Sequence, residues 1–196
     1  MTYSLNWDLD SIFAGGSDSE ALNARLEQLE AQIQEFYTQT SQWHFSANSN
    51  NGLVALLKLQ ETVTNGFSQC NSYITALLSA NVKDSKAKIL SAKLYSFLPR
   101  WQSAETILSN KFAEISDNNW QELLQSAEIA PIAFRMNEIR RDGDRLLSES
   151  EETIINTLSL DGLNAWSSHY DTIVGTVVIP FEEDGKITQL SAGQAF

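Results

Sequence analysis

Few side chains in this sequence carry chemistry of their own. There are two histidines, His44 and His169, and a single cysteine, Cys70. His44 stands between Trp43 and Phe45, after a long helical stretch. No second ligand lies near it in sequence, so it reads as a packed or hydrogen-bonded histidine and not as a metal ligand. His169 follows Ser168 and precedes Asp171 by two places. A nucleophile and its base must face each other, and neighbours on a helix do not. Cys70 falls on an apolar seam and reads as a small core hydrophobe. A reactive thiol wants electropositive surroundings, which this stretch lacks. Gly15-Gly16 and Asp161-Gly162 are turns, because neither has the glycine spacing or the lysine of a phosphate-binding loop. The residues thus assign no catalytic, cofactor-binding or metal-binding position.

Charge narrows the partners. The net charge is −12, from 13 Lys and Arg against 25 Asp and Glu. Phosphate-rich partners need a basic surface, so nucleic acid is not expected. The local cluster Arg135, Arg140, Arg141 and Arg145 alternates with Glu138, Asp142 and Asp144, and reads as a mixed-charge helix face. From Leu146 to Gly185 there is no Lys or Arg, while eight acidic residues occur. That stretch is expected to be a solvated face and hairpin tip. A surface facing cationic peptides is the sharper alternative.

A hydrophobic content of 42% with 19% charge is that of a globular chain, and 196 residues allow one or two compact domains. One cysteine excludes an intramolecular disulfide framework and suits a reducing compartment. The first residues form no signal peptide, and no apolar run approaches a membrane span. A cytoplasmic location without membrane partners is the expectation.

The pattern predicts a mainly α chain. Long antiparallel helices come first, then shorter helices, then a C-terminal two-stranded β-hairpin. Residues 1–16 form an irregular leader whose Trp7, Leu9, Ile12 and Phe13 should pack on the body. A helical lobe covers residues 17–145. Its first helix, from about Asp18 to Thr40, opens on a capping box of Ser17 and Glu20 and buries Leu22, Leu26, Leu29, Ile33 and Phe36. Glu27, Glu30 and Gln34 should face water. After a polar loop from Ser46 to Gly52, the second helix runs from about Leu53 to Ala80. Its seam is Leu53, Leu56, Gln60, Val63, Phe67, Cys70, Ile74 and Leu77. Gly66 within it suits a close helix contact. The third helix, about Ser85 to Glu114, should bend near Tyr95 to Leu98, because Pro99 removes a ladder hydrogen bond.

Shorter elements follow. Ser116 or Asp117 caps a helix through Trp120 to Ser126. Pro131 suits the first turn of a helix running to about Arg141, which Asp142-Gly143-Asp144 ends. Residues 146–196 hold a helical segment and the hairpin. Ser148 and Glu151 form a second capping box, Asp161-Gly162 interrupts the helix, and a further helix carries Leu163, Trp166 and Tyr170. The strands are Ile173 to Ile179 and Ile187 to Ser191, with a turn at Glu183-Asp184-Gly185-Lys186. The hairpin should lean on the Leu163 to Tyr170 helix or pair with a second copy through its edge. The five tryptophans read as core and helix-junction anchors.

The Leu147-Ser148 opening with Glu151 and Glu152, the Leu158 to Trp166 segment, the two strands and Gly193-Gln194-Ala195 carry a resemblance. Trp7-Asp8-Leu9 with Ile12-Phe13 adds to it. Together they resemble the N-terminal region of the oligoendopeptidase F family, zinc metallopeptidases related to thimet oligopeptidase and neurolysin. The family's catalytic signature is His-Glu-x-x-His on a helix, in which two histidines bind zinc and the glutamate activates water. Neither His44 nor His169 starts that pattern. The resemblance implies a longer parent protein with zinc, peptide substrates and a catalytic domain absent from this chain. It implies a lobe that frames and restricts the peptide-access channel, and this chain alone should neither hold zinc nor cleave peptides. The alternative is a free-standing helical interaction module, which has less need of a terminal hairpin. Self-association of the piece is a further possible partner.

Overall fold

A computed structural model describes residues 7–46, 51–143 and 145–195. The start of the expected leader, most of the polar loop after the first helix, Asp144 and Phe196 lie outside the described residues.

The helical body is built from α1 (Glu20–Gln42), α2 (Asn51–Ala80), α3 (Ser85–Tyr95) and α4 (Leu98–Ala113). Helix α1 packs on both α2 and α4. Arg25, near the start of α1, donates to Gln69 late in α2, so these two helices are antiparallel. Lys111, near the end of α4, donates to the Thr40, Ser41 and Trp43 carbonyls at the end of α1 at 2.8, 2.7 and 2.6 Å. α4 therefore runs alongside α1 in the same direction. A lysine at that place satisfies carbonyls that the helix cannot bond internally, and meets the negative end of its dipole.

The expected stripe of α1 is buried throughout, from Leu22 to Phe36, and Glu27, Glu30 and Gln34 are exposed. On α2 the apolar seam is buried except Phe67, which is half-buried against Tyr95 and Trp101. Gly66 is the close contact its position suggested: a Cβ there would meet the Arg25 guanidinium and come within 3.1 Å of Leu29.

Three boundaries differ from the expected ones. The α1 cap is Ser19, whose hydroxyl accepts from Leu22 N, and not the Ser17–Glu20 box. Gly15 and Gly16 have φ of +95° and +59° and feed a 3-10 turn, Gly16–Asp18, which takes up Ser17. The expected bend in the third helix is a full break between α3 and α4 at Ser96-Phe97, with Pro99 in the first turn of α4. Pro131 lies in a separate 3-10 turn, Ala130–Ile132, ahead of the next α-helix.

Of the leader, Phe13 is buried and Leu9 is packed against the core, but Trp7 and Ile12 are exposed. Tyr73 holds Phe13 in place. Its hydroxyl donates to the Phe13 carbonyl at 2.7 Å and the rings meet edge to face.

Helices α5 (Asp117–Leu124) and α6 (Ala133–Gly143) close the body. Ser116 stands at the start of α5 but its side chain makes no cap bond. Trp120 of α5 is the anchor. It packs on Phe112, and its indole N–H donates to Asn137 at 2.8 Å. The Arg140 guanidinium lies 5.1 Å above its ring and also donates to Ile115 O and Asp117. Arg141 pairs with Glu138. The basic cluster is thus partly used up in packing and pairing, as a mixed-charge face would be.

Gly143 closes α6 against α4. A Cβ at this position would run into the Ser109 carbonyl oxygen and lie 2.8 Å from its carbon. Backbone cannot yield as a flexible side chain does. Gly143→Ala is therefore expected to lower stability by about 1–3 kcal/mol, the usual cost of overpacking. A urea titration measures it, and an unchanged midpoint would contradict this packing.

Candidate functional site

Past Gly143 the character of the chain changes. None of the described residues from Arg145 to Ala195 is fully buried. Helix α7 (Glu149–Ser159) starts on the expected capping box: Ser148 accepts from Glu151 N, and Glu151 accepts from Ser148 N at 3.0 Å. The Ser148 hydroxyl and then the Ser148 N–H, both donating to the carboxylate, hold Glu151 below its ordinary value. Helix α7 packs on α4. A π-helical turn, Leu160–Asn164, then leads into α8 (Ala165–Thr176). Asp161-Gly162 therefore widens the helix without ending it.

The expected first strand is corrected at its start. Ile173 to Thr176 belong to α8, and the strand β1 is Val178–Glu183. Within this helical run the Thr172 and Thr176 hydroxyls donate to carbonyls four residues back. Strand β2 (Lys186–Ser191) pairs antiparallel with β1. Asp184 and Gly185 form the turn with φ of +53° and +72°, the two left-handed positions that a tight two-residue hairpin loop requires. The register sets Ile179 opposite Leu190 and Phe181 opposite Thr188 on one face, with Val178 and Ile187 on the other. A short helix, α9 (Ala192–Ala195), packs against both strands. Among the described contacts, Val82 meets the other end of the segment at Gly175.

The segment exposes much apolar surface. Leu158, Leu163, Trp166 and Tyr170 are each about two-thirds exposed or more, and Val178 and Ile187 follow on the hairpin. Trp7 and Trp166 thus depart from the expectation that all tryptophans are anchors. An uncovered patch of this extent on a folded chain marks an interaction surface. A shallow, open groove on α8 is lined by Gly162, Leu163, Trp166, Ser167, Tyr170 and Asp171.

The residues with chemical potential lie elsewhere or apart. His44 is exposed and its Nδ1 bonds the Gln42 carbonyl at 2.8 Å. His169 is exposed on α8, edge to face with Trp166. Cys70 is buried in the core, and burial pushes its thiol up, with Arg25 opposing weakly. Among the described residues, no group of three or more His, Cys, Asp or Glu is placed to hold a metal ion. Among the described residues, the donor set does not fit a zinc centre.

One buried acid went unnoticed in the sequence. Glu105 on α4 lies half-buried against Gln60, which donates to it at 3.3 Å. Desolvation raises its carboxyl above the ordinary value, while Gln60, Arg135 and Trp101 oppose the shift. The folded state then binds this proton more tightly than the unfolded chain. Its contribution to stability is greatest below the ordinary glutamate range and is lost as pH rises through the folded value. Glu105→Gln should remove that loss. Its stability relative to wild type is expected to rise between pH 4 and pH 7, as denaturant midpoints would show. A constant difference across that window would contradict the burial cost.

Residues 111–178 match the family model of oligopeptidase F. That match supports a resemblance of this segment to the N-terminal region of the oligopeptidase F family. The matched segment takes in the end of α4, helices α5 to α8 and the first residue of β1. The Trp7 to Phe13 opening and most of the hairpin lie outside it. No curated protein and no solved structure matches the chain. The family suggests zinc, a peptide substrate and a catalytic-domain partner in full-length proteins. No described helix is long and apolar enough to cross a membrane.

Proposed function

We propose that this chain is the N-terminal helical lobe of a zinc oligopeptidase. Its body forms one wall of a channel that admits short, unfolded peptides, and its C-terminal segment docks the catalytic region. The observation that carries this is the exposed apolar face of the C-terminal hairpin, downstream of the buried helical body. The hairpin is two-stranded, and such a hairpin is only marginally stable in water without a covering surface. Val178 and Ile187 share one face of it, and both are more than half exposed. A catalytic region packed there would cover them.

The lobe's contribution is steric. In this reading it supplies no zinc ligand and no base; His44 and His169 are exposed and Cys70 is buried. It selects by shape and shields the reaction from bulk water. The work of the metal, polarising the scissile carbonyl and activating water, would belong to the catalytic region.

Metal analysis and a quenched-peptide assay on the purified chain and on its longer parent test this. The parent should hold stoichiometric zinc and cleave short peptides, and the chain alone should do neither. Hydrolysis by the chain alone, abolished by a chelator, would overturn it.

A further inference from the structure

We propose that the groove on α8 is a docking site for a cationic, partly apolar peptide segment. Such a segment would stack a Lys or Arg on Trp166 or Tyr170. Its role in substrate choice rests on the peptidase reading above. The docking itself needs only this chain.

The walls of the groove come first. Trp166 and Tyr170 are four residues apart and so lie on one helix face, with Leu163 a turn before them. They are 71%, 67% and 74% exposed. Nothing within 4 Å would meet a Cβ at Gly162, so the floor beside Leu163 is open. The π-helical turn Leu160–Asn164 forms this end of the groove, and such turns are frequent at functional positions.

Charge then selects the occupant. Asp171 lines the groove and Asp161 lies in the π-helical turn. No Lys or Arg occurs from Leu146 to Gly185, against eight acidic residues. Among the described residues, none of Glu151, Glu152, Asp161, Asp171, Glu182, Glu183 and Asp184 forms an ion pair. An aromatic face with Asp171 in its lining and Asp161 in the adjoining turn attracts a cation twice, through the ring quadrupole and through the local field. The same field repels acidic peptides. The apolar walls favour a Leu-like or aromatic residue beside the cation.

The test uses the purified chain and short peptides of alternating arginine and leucine. Controls replace every arginine by glutamate or by serine. The indole N–H signal of Trp166, assigned by its loss in Trp166→Ala, reports docking by two-dimensional NMR. The basic peptide should shift that signal with a sub-millimolar Kd, of the order of −4 to −6 kcal/mol of binding. Affinity should fall about tenfold at high salt and in the Asp161→Asn, Asp171→Asn double variant. The controls should not shift it. Equal shifts from all three peptides, or no shift from any, would overturn the proposal. Trp166 is exposed, so its loss leaves the fold intact, and circular dichroism checks this.

The two readings can fail separately. Docking of the basic peptide with no peptidase activity in the parent sinks the peptidase assignment and leaves the groove. An active parent whose lobe shows no such shift sinks the groove alone.

Discussion

Trp120→Ala is expected to remove about 3–5 kcal/mol of stability from the helical body, the usual range for deleting a large buried aromatic. A domain's whole margin is about 5–15 kcal/mol, so much of the protein would be close to unfolding at body temperature. Several interactions meet at this one ring. Trp120 is 1% exposed, its centroid lies 5.4 Å from Phe112, and Phe112 in turn meets Trp43 at 5.7 Å. Alanine would also remove the indole donor to Asn137 and take away the ring beneath Arg140. Trp120→Phe should recover much of the loss, because volume is mostly kept and only the hydrogen bond goes. Denaturant unfolding of both variants is the measurement. A loss under about 1 kcal/mol for alanine would show that α5 is not tied into the core as described.

The second large effect is expected in the longer parent. Val178→Lys with Ile187→Lys should lower its kcat/KM by about 100-fold. Covering two such side chains is worth about 3 kcal/mol or more, and 1.4 kcal/mol is a factor of ten. Both residues sit on one face of the hairpin, at 58% and 66% exposure. In this chain alone the same pair should leave the unfolding midpoint unchanged, since no described neighbour buries either residue. That contrast separates a lost docking surface from a damaged fold. Wild-type turnover with an unchanged size limit on substrates would show that the hairpin does not dock the catalytic region.

The helical body was legible in the sequence where periodicity speaks directly. The stripe of Leu22, Leu26, Leu29, Ile33 and Phe36 can bury itself in only one way on a helix. Pro99 located the break between α3 and α4, since its position allows no ladder donor. The cap was harder. Ser17 and Ser19 are equally good capping types, and the choice was made by the left-handed glycines that wind Ser17 into a 3-10 turn. The run from Ile173 to Thr176 has strand composition, yet propensity yields to context, and here it continues α8.

The candidate surface was legible by half. The absence of cations from Leu146 to Gly185 is plain in the residues themselves. That Trp166, Tyr170 and Leu163 stand uncovered is not, because an apolar stripe looks the same whether or not a neighbour packs on it. Trp120 and Trp166 are the same residue type at opposite extremes of exposure. Glu105 was missed for a related reason: burial of a lone acid depends on Gln60 and Trp101, distant or unremarkable in sequence.

The central claim is that these residues are one lobe of a zinc peptidase. Sequencing the open reading frame beyond the codon for Phe196 tests it most directly. The account predicts an in-frame continuation containing His-Glu-x-x-His on a predicted helix, with a further glutamate downstream. A reading frame that ends without that pattern would contradict the claim.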